Sequence, residues 1–523
     1  MRRRGLTRIV ALVTLVSMLS CEFTAYATED VTPGNDDKTV QDTQNTDTAG
    51  GNDTAGNVTK DDDASDKKDS SSSSSDAYVN ERLELRYSNV SKGYTYKEYT
   101  GEPVTIPVKE AYVADDSTAE LVNGNYGDAS GKDAVEVTID KKVTFKITAP
   151  KAGLYNMAFE YLSGDETSIL VPQMVLELNG KVPFFEANTL KFEDLWKDPK
   201  EPSYDRYENE IVAVPDKYMV WQTKYVSDSS YRYSTPLKLQ LEEGENTVTL
   251  TMTEGSLLIG DIILSGDEEI ADYKTGNKAD GSNYVEPIQA ERPVTRNDPS
   301  IRPACEYNVD LSPYNYKKKT LNIIDAGSFN DAGMTMNYEM DVPADGYYYI
   351  AFDYRQDTKT DMPTFMDIRI DGVIPNKELK DYAFNYEKSF TTMTLEGSDG
   401  EKMAIHLTKG KHTLSITLSN ENVREALEIV DDTMSEINDL SLEITKVVGG
   451  NNDKWRKIDI REYVPDVEQR MAKWTKELKS IYERLAKYST EDEDVGALSG
   501  ISKAINKLES LSEDISELPA RVA

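Results

Sequence analysis

The sequence predicts a mainly β protein with a C-terminal α part: two antiparallel jelly-roll β-sandwiches followed by a helical hairpin or three-helix bundle. Three observations predict it. A strand–turn–strand stretch occurs twice, as VTFKITAPKAGLYNMAFEYL from Val143 to Leu162 and as MNYEMDVPADGYYYIAFDYR from Met336 to Arg355, with period-two alternation on both arms. The segments that follow each copy come in the same order, as they do when a domain is duplicated. After Gly449-Gly450 the apolar spacing changes from that of a strand to the 3-4-3-4 spacing of packed helices.

The two hairpins align on their Pro-x-x-Gly turns: Pro150 matches Pro343, Gly153 matches Gly346, Phe159 matches Phe352 and Tyr161 matches Tyr354. Proline presets φ and donates nothing to a ladder, while glycine takes the positive φ that reverses a chain. MVLELNG (Met174–Gly180) then corresponds to MDIRIDG (Met366–Gly372), two strands closing on Asn-Gly and Asp-Gly turns. LKLQLEEGENTVTLTM (Leu237–Met252) corresponds to MAIHLTKGKHTLSITL (Met403–Leu418), with Gly244 matching Gly410 and Thr247 matching Thr413. LLIGDIIL (Leu257–Leu264) closes the first copy, and Asp439-Leu440 is expected to answer Asp261-Ile262 on a last strand of the second. The first sandwich is therefore placed at 77–266, a linker at 267–298 and the second sandwich at 299–448.

Two insertions distinguish the copies. The first carries a long segment, about Phe184 to Pro236. The second carries an inserted helix at about 420–438, with Val423, Leu427, Val430, Met434 and Ile437 on one face. The helical part, 449–523, is read from two runs: Val464, Val467, Met471, Trp474, Leu478, Ile481 and Leu485, then Leu498, Ile501, Ile505, Leu508, Ile515 and Leu518. A charged break, Glu491 to Asp494, separates them, so they should form an antiparallel pair with the inserted helix as a third member.

Residues 1–27 read as an export signal: Arg2, Arg3, Arg4 and Arg8, an apolar run from Ile9 to Leu19, and the small-x-small site Ala25-Tyr26-Ala27. Met18-Leu19-Ser20-Cys21 loosely resembles a bacterial lipoprotein box, with Met18 where leucine is usual, which makes Cys21 a candidate for lipidation. No later segment is apolar enough to span a membrane, so the mature chain is expected outside the cell, secreted or held at its surface. Residues 28–76 are rich in Asp, Ser, Thr, Asn and Gly, and with few large apolar side chains nothing offsets the entropy of ordering them. This acidic linker would reach about 40 Å as a random coil.

The formal net charge of -35 opposes binding to nucleic acid or anionic membranes. Only two histidines, His406 and His412, are present, which argues against His-based triads and His-rich zinc sites. There is no GxSxG, phosphate loop, GxGxxG before a helix, or HExxH, and so no catalytic residue is named. Among metals Ca²⁺ best suits an exported, oxygen-rich chain; Asp325 to Asp331 lacks the EF-hand spacing, and no ligand set is assigned. Cys305 is expected to be a buried structural thiol.

The strongest binding candidate is the aromatic run in the first insertion. Sugars present apolar C–H faces that stack on Trp and Tyr rings, while nearby polar groups take the hydroxyls. Trp196, Tyr218, Trp221, Tyr225, Tyr231 and Tyr233 are the candidate carbohydrate-binding residues. The competing reading is that these rings pin the insertion onto the sheet.

The (A/V)P-x-x-G-Φ-Y hairpins, the LNG strand and EGENTVTLTM…IGDIIL together resemble galactose-binding-like β-sandwiches, the jelly rolls of many carbohydrate-binding modules. The wider order includes AGLYNMAFEY (152–161), LNGKVPFFEA (178–187), VPADGYYYIAFDYR (342–355), IDGVIPNKEL (370–379), KGKHTLSITL (409–418) and KWRKIDIREYVPDVEQRM (454–471). It is similar to the N-terminal region of large Gram-positive extracellular solute-binding proteins of ABC sugar importers. The resemblance runs from about Val104 to the C-terminus, and the solute-binding domain that follows in that family has no counterpart here. It implies a non-catalytic, exported carbohydrate-binding protein whose partners are a glycan or oligosaccharide and an ABC importer or another surface protein. The alternatives are a structural spacer or docking protein of the cell surface, or the accessory half of a glycoside hydrolase system.

Overall fold

The computed structural model describes residues 85–279, 281, 284–357, 361–448, 458–489, 496–515 and 518. The export signal, Cys21, the acidic linker and the charged break before the last helix lie outside the described residues. The fold is mainly β with a C-terminal α part, and among the described residues the named strands pair antiparallel, with one isolated parallel bridge between Glu98 and Leu154.

In the first sandwich the two arms of the hairpin enter different sheets. Strand Lys142–Ala149 begins a four-stranded sheet that continues through Gly244–Glu254, Gln173–Leu178 and Leu190–Lys191. Strand Gly153–Ser163 lies in the opposite sheet, paired on one side with Ser256–Ser265 and on the other with Gln222–Tyr225 and Leu239–Leu241. Val143, Phe145 and Ile147 from one arm, and Tyr155, Met157 and Phe159 from the other, meet fully buried between the sheets. Each such side chain contributes roughly 1.5–3 kcal/mol by leaving water, which is why the alternation is kept on both arms.

The second sandwich repeats the plan but not its completeness. Thr335–Val342, Gly410–Ser419, Thr364–Ile370 and Tyr382–Phe384 form one continuous sheet. The second arm of its hairpin is split into Gly346–Tyr349, paired with Ala404–Leu407, and Ala351–Gln356, paired with Glu387–Thr394. The matched turns are alike in detail. Asn179 (φ 51) and Asp371 (φ 52) both take the left-handed conformation before a positive-φ glycine, and each side-chain Oδ1 accepts the backbone N–H of its matched threonine, Thr247 at 2.8 Å and Thr413 at 2.9 Å. Tyr155 and Tyr348 likewise both donate to the carbonyl four residues back, each at 2.7 Å.

Helix α1 spans Glu421–Val448, α2 Val467–Leu485 and α3 Ser499–Glu513. The expected last strand at Asp439-Leu440 is therefore absent: those residues lie inside α1, and Leu440 is buried in the helical core. The buried residues of α1 are Ala426, Val430, Thr433, Leu440 and Ile444; of the predicted stripe Val430 is buried, Val423, Met434 and Ile437 pack partly buried against the helical core, and Leu427 is half-buried. All the other periodic positions of α2 and α3 are buried as the spacing predicts, with Trp474 at the centre. Ion pairs Arg470–Glu443 and Lys473–Glu436 join α2 to α1 in antiparallel order. Cys305 is a half-buried free thiol, not the fully buried one expected. Among the described residues no helix is long and apolar enough to cross a membrane.

The insertion of the first sandwich crosses to the second. Leu195–Lys197 pairs with Asp216–Tyr218 on one side and with Arg296 on the other, and Thr295–Arg296 pairs with Met336 and Asn337. These strands extend the main sheet of the second sandwich to seven strands. The Arg296 side chain is buried at the seam and makes two bonds to Asp198, at 2.6 and 2.7 Å.

Candidate functional site

A cleft of about 300 Å³ opens at one end of the first sandwich, lined by Ile139, Ser163, Asp165, Ser168, Leu170, Pro172, Lys217, Gly255 and Ser256. Its geometry follows from the strand ends. Ser163 is the last residue of its strand and Ser256 the first of the neighbouring one, and Gly164 N–H donates to the Ser256 carbonyl at 3.0 Å. Gly255 turns the chain between two strands with φ 77, and a side chain there would sit 3.1 Å from the Pro172 backbone. Asp165 closes the loop beyond Ser163 by accepting from Thr167 N–H at 2.8 Å, Thr167 Oγ1 at 2.7 Å and Ser168 N–H. Those bonds, the Thr167 hydroxyl foremost, hold the Asp165 carboxyl below the usual range.

The insertion supplies the floor. Lys217 Nζ, buried, donates to Ser163 Oγ at 3.1 Å and to the Asp165 carbonyl at 2.9 Å, and pairs with buried Asp194 at 2.8 Å. Burial pushes the Asp194 carboxyl up despite the lysine beside it. Breaking such a buried pair leaves an uncompensated charge, so the floor is rigid. The walls are apolar and open, with Ile139 and Leu170 more than half exposed. A cleft lined by both apolar side chains and serines has the mixed character of a small-ligand site.

The six sequence-predicted rings do not form one cluster. Trp196 is buried and offers no stacking face; its ring lies under Lys217, with Nζ 5.6 Å from the centroid, so it supports the cleft from below. Tyr218 is exposed next to it, beneath Lys197 Nζ at 5.0 Å. Trp221 lies half-buried on the outer face of the larger sheet, where its Nε1–H donates to the Tyr126 carbonyl at 3.0 Å and Lys132 stands 4.4 Å over the ring. It covers a small apolar group with Leu162, Leu258, Met219 and Tyr126, and Tyr225 is exposed on the strand that follows. Tyr231 and Tyr233 belong to seams. Tyr231 OH donates to Glu193, and Tyr233 lies under Arg424 of α1 at 4.4 Å, edge-on to Tyr87. Insertion rings thus serve mainly to hold the parts of the molecule together. Sequence reasoning did not find Ser163, Asp165, Ser168, Lys217 or Ser256, because serines and acids at strand ends look like any polar loop.

Among the described residues no three Asp, Glu, His or Cys side chains are grouped as a metal site needs. Asp325 is engaged by Arg302 at 2.8 Å. His412 pairs with Asp371 at 2.6 Å across the matched turn, and His406 lies edge-on to Tyr347.

Comparison with known proteins gives two kinds of likeness. Residues 425–523 match the family model of the bacterial solute-binding protein, 4-helix bundle domain. Among solved structures, the chain is similar to the native family 35 carbohydrate-binding module from Clostridium thermocellum, with 15% identity, 32% of this chain and 100% of that chain covered, and a TM-score of 0.21. It is similar to the family 35 module of Cellvibrio japonicus Abf62, with 15% identity, 32% and 95% covered, and a TM-score of 0.20. It is also similar to the C-terminal family 6 module of a laminarinase from Zobellia galactanivorans, with 13% identity, 31% and 99% covered, and a TM-score of 0.19. No curated protein sequence matches the chain.

Proposed function

We propose that this chain is an exported, non-catalytic carbohydrate-binding protein that captures glycans at a bacterial cell surface and works with ABC-type sugar uptake. The cleft carries the reading: Ser163, Ser168 and Ser256 line it together with Ile139, Leu170 and Pro172, around a space of about 300 Å³, at the small end of the range for ligand pockets. One sugar ring fits such a space, its C–H face on the apolar wall and its hydroxyls toward the serines. The match of residues 425–523 to a solute-binding bundle domain supports the link to uptake, and the Arg-rich start of the sequence followed by an apolar run supports export. Lys217, which touches Ser163, is held in a buried ion pair with Asp194, so it is not free to serve that hydroxyl as a base, which favours binding over chemistry.

A second reading is favoured by a specific observation. The first insertion enters the sheet of the second sandwich, and α1 docks on the first sandwich through Arg232–Asp431 and Arg86–Asp432. That stiffness suits a spacer or docking platform for another surface protein.

Affinity electrophoresis and a glycan array separate the two, run with Ca²⁺ and with chelator. Leu170→Ala, at an exposed position, and Ser168→Ala, at a half-buried one, should weaken retention of the bound glycan about tenfold. Trp221→Ala should leave it unchanged if the cleft is the site. A wild-type protein that binds no glycan in either condition leaves the spacer reading standing.

A further inference from the structure

A second exposed surface forms where the first insertion meets a loop of the second sandwich. The short hairpin of Ser203–Tyr204 and Glu210–Ile211 is fastened to residues 318–321. Glu210 N–H donates to the Lys319 carbonyl at 2.9 Å, Lys319 N–H to Asn209 Oδ1 at 2.9 Å, and Leu321 N–H to Glu210 Oε2 at 2.9 Å. The buried Glu210 carboxylate is also held by Arg292. Asp205 turns the hairpin by accepting from Tyr207 and Asn209 N–H. The surface is therefore anchored at its base by the buried Glu210 carboxylate and its partly exposed partner Arg292.

What it displays is unlike the rest of the chain. Tyr204, Tyr207 and Tyr316 are 58%, 64% and 72% exposed, and Tyr314 is exposed beside them. Exposed aromatic rings grouped on loops mark contact surfaces more often than solvent-facing accidents do. The local charge also runs against the whole. In a chain of net charge -35, Lys317, Lys318 and Lys319 are consecutive, and Arg206 belongs to the hairpin that Lys318 and Lys319 hold through Glu208 and Asn209. Glu208 and Glu210 are taken up by Lys318 and Arg292. Lys317, Lys319 and Arg206, all exposed, make no ion pair among the described residues. Arg206 and Lys317 instead stand over one face of the Tyr207 and Tyr316 rings, 4.6 and 5.2 Å from the centroids, and Arg206 also donates to the Tyr207 hydroxyl, which leaves the other face of each exposed ring for contact.

We infer that this tyrosine–lysine face is a second glycan site, one for an acidic, carboxylate-bearing polysaccharide. Its sugar rings lie against Tyr207 and Tyr316, and its carboxylates meet Lys317, Lys319 and Arg206. The inference rests on the carbohydrate-binding reading above but uses none of the cleft residues. Rings supply the contact to C–H faces, and the uncompensated cations supply selection of an anionic chain that the rest of the acidic surface repels.

The test is affinity electrophoresis of the full chain in gels containing polygalacturonate, neutral galactomannan or polyglutamate, at low and high salt. Wild type should be retarded by polygalacturonate and far less by polyglutamate, an anion without sugar rings. Tyr207→Ala with Tyr316→Ala should weaken that retardation about tenfold. Lys317→Gln with Lys319→Gln should weaken it and flatten its salt dependence. Leu170→Ala in the cleft should leave it unchanged. Equal retardation by polyglutamate, or variants that run as wild type with unchanged melting temperature, would overturn the proposal. Binding of galactomannan without polygalacturonate removes this site and leaves the carbohydrate reading intact, whereas binding of no sugar polymer removes both.

Discussion

The two sandwiches start from the same hairpin and finish differently. In the first, Gly153–Ser163 has Ser256–Ser265 on one side and Gln222–Tyr225 with Leu239–Leu241 on the other. In the second, the corresponding arm keeps only counterparts of the latter two, Glu387–Thr394 and Ala404–Leu407. The counterpart of Ser256–Ser265 is missing because the chain leaves strand Gly410–Ser419 directly into α1. Without a long partner to hold one register, the arm breaks at Ile350 into two ribbons. Tyr348, Phe352 and Tyr354 are then only partly buried, while their matches Tyr155, Phe159 and Tyr161 are fully buried. The second sandwich makes up part of the loss by taking two strands from the insertion of the first. A duplicated sequence has become one complete domain and one that leans on it.

That dependence can be broken at Arg296. Arg296→Ala leaves Asp198 unpaired at the seam and removes a buried side chain, and should cost about 3–5 kcal/mol. Chemical denaturation followed by hydrogen exchange should show the loss in the strands around Met336 first. A loss confined to the first sandwich would contradict the picture. The inequality of the copies is sharpened by paired truncations. Phe159→Ala should cost about 3–5 kcal/mol and Phe352→Ala about 1–2, because only the first leaves a closed cavity. Equal midpoint shifts would mean that the second copy is as tightly packed as the first.

Where the copies are alike, equal effects are expected. Asn179→Ala and Asp371→Ala each remove a bond to a threonine N–H and force alanine into a left-handed conformation. Each should cost about 1–2 kcal/mol, read from thermal melts. The smallest contrast is in pH dependence. Burial, followed by the nearby Asp367 and Glu421 carboxylates, pushes Asp381 up to about 6, against the Ser419 hydroxyl and Lys380. The folded state then holds a proton more tightly than the unfolded chain, so stability rises as pH falls from about 6 toward 4. The effect should be about 1 kcal/mol after allowance for solvent screening, and Asp381→Asn should abolish it. At the exit of the first sandwich the sign is opposite. Burial raises Asp267, but the Lys238 ammonium and the Asn156 amide outweigh it and hold the group low, so stability there is lost on acidification. Melting curves taken from pH 7 to about 3, the lower end being where a depressed carboxylate titrates, that move both sandwiches in the same direction would remove this distinction.

The sequence alone determined the repeated strand–turn–strand, the matched Asn-Gly and Asp-Gly turns and the helical seam through Trp474, because each is signalled by residues close along the chain. Alternation, a positive-φ glycine and a 3-4 spacing are local signals whose geometry the backbone imposes. Tertiary structure decided the rest. Trp196 reads as a stacking ring in the sequence, yet it is buried because its strand pairs with Arg296 about a hundred residues away. Asp439 and Leu440 match a strand in order, yet they lie within a longer helical period that buries Leu440 and Ile444 in the helical core. The cleft and the tyrosine–lysine face each assemble residues from distant segments. Their polar members carry no periodicity, and only the closing of the chain brings them onto one surface.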